Sequence, residues 1–470
     1  MIRTRVAPSP TGYMHIGTAQ SALYNWLFAS KNNGQFLLRI EDTDRERSTK
    51  EYQEAIFSSL EWLGLKWNEE PVIQSKNLPR HKEMLDKLLK EGKAFYCHHT
   101  KEELETERKN QETNKQAPIH VCSYKKDSKG KENGGIIRLA VNENSERIIS
   151  FNDHIRGEVE FKESLLGDFS IARAVDDPLY HFAVTVDDVD MKITHVLRGE
   201  DHISNTPKQL LIYEALGKEP PFFGHLPLIL APDRSKLSKR HGAVSVIDYK
   251  KDYLPEAIVN FLGSLSYTFS KEIISKEEMV KEFELEKVHK SGAVFDVKKL
   301  NWINSQYIKN LEIKKFKQLT NLPELRDEAI PLITERLEKL TDVQDFDYFW
   351  KKPSFAKASE GRAEYMSIEL LKWKKASLED SLKALNEVED IIEKINFKEE
   401  ILRAELDKLG EKLGDRGLAY WPFRVALTGK EKSPDPVDVA MVLGKQKTLE
   451  RVNYVLDHRT MQRILEKEPE

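Results

Sequence analysis

Hydrophobic and polar positions follow two different rhythms along the first 80 residues of the chain. Residues 2–7 (IRTRVA) and 35–40 (QFLLRI) are short runs of apolar and β-branched side chains, which favour strands. Residues 24–29 and 52–63 instead repeat apolar side chains at the three- and four-residue spacing of an amphipathic helix. Strands that alternate with helices are typical of βαβ units around a parallel sheet, so this region predicts an α/β fold of the nucleotide-binding type.

The pattern is interrupted between residues 100 and 135, where the chain is polar and rich in lysine. Two short strands are then predicted, at residues 136–141 (IIRLAV) and 148–153 (IISFND). Strand and helix patterns resume through residues 181–186 (HFAVTV) and 193–202 (ITHVLRGEDH). We therefore expect an insertion between the two halves of the sheet.

From about residue 310 onward the pattern is almost wholly helical. Residues 380–395 and 399–409 carry apolar side chains at helical spacing, and a separate all-α domain is the simplest explanation. Residues 353–366 (PSFAKASEGRAEYM) are rich in small and polar side chains, which predicts a surface loop or an insertion.

Composition changes this picture little. The chain has 470 residues, of which 39% are hydrophobic, and this is enough for two or three domains with buried cores. Its 74 Lys and Arg residues nearly balance 78 Asp and Glu residues, so an RNA would have to bind locally rather than to a generally basic surface. The sequence has only two cysteines, and it shows no signal segment and no run of eighteen apolar residues. These features predict a cytoplasmic protein without membrane spans or a disulfide framework.

The most informative local pattern is residues 8–29, where a loop containing proline and glycine leads from the first predicted strand into a predicted helix. Unpaired backbone N–H groups and the positive end of the helix dipole would face a ligand above the sheet, for which phosphate is the natural candidate. Gly12 and Gly17 would let the backbone approach this ligand, and His15 could donate a hydrogen bond to a phosphate. The alternative is an ordinary strand-to-helix turn with an incidental histidine.

A second polar loop, residues 231–246 (APDRSKLSKRHGAVSV), contains two lysines three positions apart. Lysine is a mobile point charge that can follow a phosphate through a reaction, although such a loop by itself is usually a solvated surface. The two segments, in this order and roughly 220 residues apart, resemble the HIGH and KMSKS signatures of class I aminoacyl-tRNA synthetases. They are written here His15-Ile16-Gly17-Thr18 and Lys236-Leu237-Ser238-Lys239-Arg240.

The resemblance narrows to the bacterial-type glutamyl-tRNA synthetases. The matching segments are residues 5–17 (RVAPSPTGYMHIG), 39–44 (RIEDTD), 198–202 (RGEDH) and 236–242 (KLSKRHG), and the similarity extends over nearly the whole chain. It implies an α/β fold with a Rossmann-like catalytic domain over residues 1–310 and an all-α anticodon-binding domain over residues 311–470. Within the first, it implies an acceptor-binding insertion at about 80–175 and a stem-contact region at about 245–310. Glutaminyl enzymes, and the eukaryotic glutamyl enzymes that resemble them, carry C-terminal β-barrels, which the helical pattern disfavours.

The resemblance also implies the site residues. Glutamate would be bound by Arg5, Ser9, Glu41, Tyr180 and Arg198. ATP would be bound by Gly12, His15, Gly17, Asp201, Ile229, Lys236, Ser238 and Lys239, of which His15, Lys236 and Lys239 would be catalytic. Arginine can hold a carboxylate with two parallel hydrogen bonds, and a glutamate carboxylate can accept from the substrate ammonium. The alternatives are that Arg5 forms an ordinary surface ion pair and that Glu41 caps a helix.

The implied reaction has two stages and needs no protein nucleophile. The α-carboxylate of L-glutamate attacks the α-phosphorus of ATP and releases pyrophosphate, and the terminal ribose hydroxyl of tRNA(Glu) then attacks the glutamyl-adenylate and releases AMP. Positioning and fixed positive charge would supply the catalysis, with Mg²⁺ on the phosphates. In this family the first stage usually waits for bound tRNA. Some members also charge tRNA(Gln), and this possibility stays open; we expect a monomer.

A metal site is expected less directly, because the chain departs from its relatives here. Many bacterial members place a CxC and then a CxH pair in the insertion, whereas the matching positions read Cys97-His98-His99 and Cys122-Ser123-Tyr124. With His120 nearby, the side chains that could still form a tetrahedral zinc site are Cys97, His99, His120 and Cys122. The alternative is a degenerated site that binds no metal.

Three alternative functions fit the sequence less well. A nucleotidylyltransferase shares the HIGH-type fold but has no use for about 160 helical residues at the C-terminus. A non-catalytic tRNA-binding paralogue would keep the helical domain and lose His15 or the lysine loop, and both are intact. The truncated relative that glutamylates a modified tRNA base lacks an anticodon domain. A glutamate–tRNA ligase is the function that the whole pattern favours.

Overall fold

The computed structural model describes residues 1–238, 240, 244–352 and 368–457. Lys239 of the lysine loop and the predicted loop at 353–366 lie outside the described residues. The chain divides into two compact units, Met1–Ile303 and Asn304–Glu470. Within the described ranges, no helix has both the length and the apolar character that a membrane crossing requires.

The first unit begins with a three-stranded parallel sheet. Its strands are β1 (Arg3–Val6), β2 (Gln35–Ile40) and β3 (Val72–Ile73), paired in that order. Helices α1 (Ile16–Lys31) and α2 (Lys50–Trp62) form the two connections between them. Both helices contain the segments whose apolar spacing is helical, so the βαβ prediction for the first 80 residues is confirmed.

A second sheet continues the first. Its strands, in chain order, are β6 (Ile148–Asp153), β7 (Gly157–Lys162), β10 (His195–Gly199) and β11 (Phe222–Leu226), and they lie in the order β10-β11-β6-β7. The backbone N–H of Thr194, just before β10, donates to the carbonyl oxygen of Arg3 at 3.0 Å, so β10 lies beside β1. Strand β6 pairs in parallel with β11 through Asp153 and Phe223.

The position of β6 differs from the sequence-based expectation. Residues 148–153 are a strand, as predicted, but they extend the sheet that contains β10 and β11 instead of joining the other strands of the expected insertion. The reason is that an apolar run indicates a strand without indicating its neighbours. Pairing here is set by contacts some 70 residues apart in the chain, which local periodicity does not contain.

The remaining insertion strands form an antiparallel sheet of their own. They are β4 (Ala94–Cys97), β5 (Ile136–Leu139), β8 (Ser170–Ala174) and β9 (Asp177–Pro178). The helices of this region are α3 (Leu78–Lys90), α4 (Lys101–Thr113), α5 (Tyr180–Asp190) and α6 (Thr206–Leu216). Leu85, Ile137, Ile171, Phe182 and Ile212 are all fully buried in one core between the helices α3, α5 and α6 and the sheet. Residues 181–186 are therefore helical, in α5.

The last part of the first unit contains two helices that pack against α1, namely α8 (Pro255–Leu265) and α9 (Lys276–Glu282). Its other elements are β12 (Ile229–Leu230), α7 (Val246–Tyr249), β13 (Ala293–Val294) and the start of α10 (Val297–Lys309), which continues past Ile303. The hydroxyl of the fully buried Tyr24 donates to the Gly263 carbonyl oxygen at 2.9 Å, which fixes α1 against α8.

The described part of the second unit is helical. Its helices are α11 (Ile313–Thr320), α12 (Ala329–Thr334), α13 (Leu378–Lys394), α14 (Glu399–Leu413), α15 (Arg416–Thr428), α16 (Pro436–Leu443) and α17 (Lys445–Leu456). Ser377 and Asp380 form a capping box at the start of α13. Leu385, Leu406 and Phe423 are fully buried, as the apolar spacing requires. The all-α prediction for this region is confirmed.

Candidate active site

A cavity of about 750 Å³ lies in the first unit, where the strands β1, β2 and β10 end. Carboxyl ends of adjacent parallel strands meet at one edge of a sheet, which is where α/β folds bind ligands. Most of the site residues expected from the sequence line this cavity: Arg5, Ser9, His15, Gly17, Glu41, Tyr180, Arg198, Asp201, Ile229 and Lys236. Gly12 and Ser238 are described but are not among the lining residues, and Lys239 is not described.

His15 is the N-cap residue of α1. Its ring Nδ1 accepts a hydrogen bond from the backbone N–H of Gly17 at 3.0 Å. A ring nitrogen that accepts carries no proton, so the proton of the neutral ring is on Nε2, which can only donate. The next residue, Ile16, donates its N–H to the carbonyl oxygen of Val244 at 2.8 Å, which brings the helix start and the chain after the lysine loop together.

The lysine loop folds back on itself as it leaves β12. The N–H of Leu237 donates to the Ile229 carbonyl oxygen at 3.1 Å, and the turn between them contains Arg234 with a left-handed φ of 66°. Lys236 then reaches across to Asp201, with 2.8 Å between Nζ and Oδ2. Burial raises the pKa of the Asp201 carboxyl, but the hydrogen bond and charge of Lys236, the charge of His202 and a backbone hydrogen bond together outweigh this and leave the pKa below its ordinary value.

The loops that follow β1 and β2 are joined at the floor of the cavity. The hydroxyl of Ser9 donates to the backbone carbonyl oxygen of Glu41 at 2.8 Å, and the N–H of Glu41 donates to the Pro8 carbonyl oxygen at 3.0 Å. The cap of the following helix, α2, is Thr49, whose hydroxyl accepts from the N–H of Tyr52. Glu41 therefore does not cap this helix, and its carboxylate belongs to the cavity wall.

Arg5 and Glu41 are tied together by two residues that the sequence analysis did not single out. Asp188 accepts from Arg5 Nε at 3.1 Å and from Arg39 Nη1 at 2.6 Å, and Arg39 Nη2 donates to Glu41 Oε1 at 2.9 Å. The side chain of Arg5 is only 5% exposed, so the alternative of a surface ion pair is wrong. Burial raises the pKa of Asp188, but Arg5 and Arg39 outweigh it, and the carboxyl stays below its ordinary pKa.

For Glu41, the effect of burial on the pKa is larger than the effect of the neighbouring arginines. Burial raises the pKa of its carboxyl, and although Arg39 lowers it, the pKa stays above its ordinary value.

The sequence did contain one signal for Asp188: two consecutive aspartates follow the apolar run at 181–186, inside what proves to be helix α5. Carboxylates in a buried helix need buried cationic partners.

Arg198 is held differently, by neutral groups. Its Nε donates to His225 Nε2 at 3.2 Å and its Nη2 donates to Thr206 Oγ1 at 2.9 Å. Its guanidinium lies 5.6 Å from the centre of the Phe223 ring. Its Nη1 is buried and, among the described residues, has no hydrogen-bond partner. Burial lowers the pKa of the Arg198 guanidinium, and within the described residues no carboxylate is in contact with it to offset this.

Away from this cavity, the four expected metal ligands come together. The ligand atoms of Cys97, His99, His120 and Cys122 all lie within 4.8 Å of one another. His120 Nδ1 is 2.5 Å from a carboxylate oxygen of Glu107 in α4, and His120 Nε2 is 3.7 Å from Cys97 Sγ. Burial raises the pKa of the Cys97 thiol, but hydrogen bonds with His120 and His99 outweigh it and lower the pKa to about 5.

Comparison with protein families agrees with this arrangement. Residues 1–302 match the family of class I tRNA synthetases (E and Q), catalytic domain, and residues 268–456 match an anticodon binding domain. The chain is 40% identical to glutamate–tRNA ligase 2 of Thermoanaerobacter pseudethanolicus, over 97% of this chain and 98% of that protein. It is 42% identical to the glutamate–tRNA ligase of Carboxydothermus hydrogenoformans, over 96% and 99% of the two proteins.

A solved structure shares the whole fold. The glutamate tRNA ligase of Elizabethkingia meningosepticum, crystallised in complex with its amino acid, is 31% identical and superposes with a TM-score of 0.83, covering 97% of this chain and 99% of that one. The resemblance seen in the sequence is thus confirmed along nearly its full length. The chain belongs to the glutamate–tRNA ligases of the class I tRNA synthetase family.

Proposed function

We propose that this chain activates L-glutamate with ATP and transfers it to the 3′ end of tRNA(Glu), releasing pyrophosphate and AMP. One observation carries the proposal: a single cavity is lined by two buried arginines, by the carboxylate of Glu41 and by the histidine-capped start of α1. Glutamate offers two carboxylates and an ammonium, and ATP offers phosphates. The cavity therefore combines the complementary charges of both substrates in one place.

Glutamate binding would rest on Arg5, Arg198 and Glu41. The buried Nη1 of Arg198 lacks a partner among the described residues, and an unmade hydrogen bond of this kind costs free energy until a ligand satisfies it. A substrate carboxylate supplies both the acceptor and the opposite charge. Glu41, held by Arg39, accepts from the substrate ammonium, and Tyr180, whose hydroxyl is 3.1 Å from His202 Nδ1, shapes the side of the pocket.

The activation step is an in-line displacement at the α-phosphorus. An oxygen of the glutamate α-carboxylate forms the new P–O bond, and the bond to pyrophosphate breaks with its electron pair. His15 donates from Nε2 to a phosphate oxygen, because its Nδ1 is occupied by the N–H of Gly17. Lys236 leaves Asp201 and binds the phosphates instead. It can move in this way because the side chains of Lys236 and Asp201 are both exposed. Mg²⁺ would neutralise further phosphate charge.

The second step is the attack of the terminal ribose hydroxyl of tRNA on the adenylate carbonyl, with AMP as the leaving group. We assign the sequence-derived catalytic domain, residues 1–310, to the chemistry and residues 311–470 to the anticodon. The separate family matches, to residues 1–302 and 268–456, support this division. Transcripts with altered anticodons should be charged less well by the full-length enzyme, and binding should weaken as salt rises.

The direct test is exchange of pyrophosphate into ATP. Exchange should require both glutamate and added tRNA, and exchange with glutamine in place of glutamate would contradict the assignment. Changing Lys239 to Ala should slow activation by on the order of 10²-fold, as the loss of one preorganised donor commonly does. Charging assays with purified tRNA(Glu) and tRNA(Gln) determine whether the second tRNA is also a substrate.

We also propose that Cys97, His99, His120 and Cys122 bind one zinc ion. Two sulfur and two nitrogen donors suit tetrahedral zinc, and Glu107 would hold His120 with Nε2 as the ligand atom. Bound there, zinc would link the end of β4 to the loop that contains Cys122. Elemental analysis should find about one zinc per chain, and Cys97→Ser should abolish it. An active enzyme without metal would support the degenerate alternative.

Oligomeric state and compartment complete the proposal. We propose a monomer, which size-exclusion chromatography with light scattering can check. Both cysteines, Cys97 and Cys122, are free thiols, which fits the reducing conditions of the cytoplasm.

A further inference from the structure

Behind Arg198 lies a chain of hydrogen bonds that crosses three adjacent strands. Arg198 is on β10, His225 is on β11 and Asp153 ends β6. Arg198 Nε donates to His225 Nε2 at 3.2 Å, and His225 Nδ1 lies 2.6 Å from Asp153 Oδ2. The three residues are 7%, 0% and 2% exposed respectively, so water does not compete for these contacts. Only Arg198 lines the cavity.

The direction of each hydrogen bond follows from the chemistry of arginine. The Nε of a guanidinium always carries a proton and always donates, so His225 Nε2 must be the acceptor. The proton of the neutral ring is then on Nδ1, and Asp153 Oδ2 accepts it. The other carboxylate oxygen, Oδ1, accepts from the backbone N–H groups of Ile155 at 2.9 Å and Arg156 at 2.8 Å. Asp153 is thus fixed by the main chain and in turn fixes the tautomer of His225.

We propose that Asp153 and His225 are positioning residues for substrate binding: by holding His225 in the Nδ1–H tautomer, Asp153 keeps the Arg198 guanidinium oriented for a carboxylate of glutamate. This inference rests on the proposed function, since it takes glutamate as the ligand of Arg198. It adds two residues that do not touch the cavity. Neither was expected from the sequence, because each is recognisable only through its neighbour in the fold.

A neutral imidazole suits this role better than a carboxylate. A carboxylate in contact with Arg198 would compete with the substrate for its charge, whereas neutral His225 accepts one N–H and leaves the positive charge available. Thr206 completes the frame, because its hydroxyl accepts from Arg198 Nη2 and lies 3.2 Å from His225 Nε2. Only Nη1 is then left for a ligand.

The decisive variant is Asp153→Asn. The backbone N–H groups of Ile155 and Arg156 will keep the amide oxygen of asparagine at the Oδ1 position, which turns the NH₂ group toward His225 Nδ1. His225 Nδ1 must now accept a hydrogen bond from this NH₂ group, so the ring proton moves to Nε2. His225 Nε2 and Arg198 Nε are then two donors that face each other. We expect the KM for glutamate to rise on the order of 10- to 100-fold, the loss associated with a hydrogen bond to a charged group. The KM for ATP should change less than about twofold.

A double-mutant cycle separates this role from a general structural one. In His225→Gln, the side-chain oxygen can replace Nε2 as the acceptor for Arg198 without help from Asp153. We therefore expect a smaller rise in the glutamate KM than in Asp153→Asn, and no further rise when both changes are combined. The proposal is wrong if the effects of the two substitutions on the glutamate KM add in the double variant. It is also wrong if Asp153→Asn raises the KM values of glutamate and ATP equally. His195→Gln, at a partly buried histidine on the same strand as Arg198, is the matched control and should leave both KM values unchanged.

The tautomer itself gives a readout that does not depend on activity. In ¹⁵N-histidine-labelled wild-type protein, with the signal assigned by its loss in His225→Gln, the shifts should show a protonated Nδ1 and an unprotonated Nε2. In Asp153→Asn, the proton should be on Nε2 instead of Nδ1. If His225 of the wild-type protein already carries its proton on Nε2, the positioning role is refuted, whichever tRNA the enzyme charges. Wild-type failure to charge tRNA(Glu) refutes the proposed function instead. Wild-type charging with an unchanged glutamate KM in Asp153→Asn refutes only the positioning role.

Discussion

The two arginines of the cavity are equally buried but are held by opposite kinds of partner. Arg5, on β1, contacts the carboxylate of Asp188 at 3.1 Å, and that carboxylate is shared with Arg39. Arg198, on β10, is contacted within the described part of the chain by neutral groups: the ring of His225, the hydroxyl of Thr206, the His202 carbonyl oxygen and the ring of Phe223. The first is part of a buried network of ion pairs. The second is a buried charge that has no ion pair among the described residues.

This difference indicates how the two sides of the cavity divide their tasks. Around Arg5, the guanidiniums of Arg5 and Arg39 face the carboxylates of Asp188 and Glu41, and Asp187 lies 3.9 Å from Arg39, so the positive charge on this side is compensated. Around Arg198 the charge is uncompensated, and burial lowers the pKa of its guanidinium. A buried cation without a counter-ion costs stability in the free protein and is relieved when an anion binds. Arg198 should therefore dominate affinity, and Arg5 should contribute to both affinity and stability.

Replacing each arginine by methionine, which keeps much of the side-chain volume, should separate the roles of Arg5 and Arg198. Arg198→Met should lower kcat/KM for glutamate by on the order of 10³-fold, as truncation of one member of a buried charge pair does. It should not lower the free energy of unfolding, because no carboxylate in the part of the chain that the structure describes contacts Arg198. Aminoacylation rates and urea unfolding measure the two quantities.

Arg5→Met is the matched variant for the other side. It removes one of the two guanidiniums that contact Asp188, so the free energy of unfolding should fall by about 3 kcal/mol together with the rate. Equal stability losses in the two variants would show that the partners of the arginines do not matter in the way argued.

Removal of the shared carboxylate should cost a similar amount of stability but have a smaller effect on the reaction. Asp188→Asn leaves Arg5 and Arg39 close together without their common anion, and the free energy of unfolding should fall by about 3 kcal/mol, with a lesser effect on glutamate binding through Arg5. Because the pKa of Asp188 is depressed in the folded protein, its contribution is complete above the ordinary aspartate pKa of about 4. It is lost as the pH falls through the depressed pKa.

The pH dependence supplies the control for this variant. The difference in unfolding free energy between wild type and Asp188→Asn should be constant above about pH 4 and shrink in more acid solution. A difference that grows on acidification would mean that Asp188 is destabilising in the folded chain, contrary to its two contacts with guanidinium groups.

The same comparison shows how far the sequence could go. Arg5, Glu41 and Arg198 were expected because they lie in motifs, and strands β1 and β2 because apolar runs and βαβ spacing are local features. Asp188 and His225 were not expected, because each acquires its role from a partner brought close by strand and helix order, 183 residues away for Arg5 and 27 for Arg198. The pairing of β6 with β11 was not predicted from the sequence, for the same reason. Local patterns define elements and motif residues, whereas the groups that orient those residues belong to the assembled sheet.

The smallest effect is expected at Thr206, whose hydroxyl is one of the neutral groups that contact Arg198. Thr206 is fully buried, and Thr206→Val keeps its shape while removing the acceptor for Arg198 Nη2. Loss of one hydrogen bond to a charged group should raise the KM for glutamate about 10-fold, with little change in the KM for ATP. Thr185→Val is the matched control, since Thr185 is equally buried and its hydroxyl only returns to the His181 carbonyl oxygen within α5. If both variants bind glutamate equally well, neutral hydrogen bonds do not orient Arg198, and the guanidinium is held by packing against Phe223 instead.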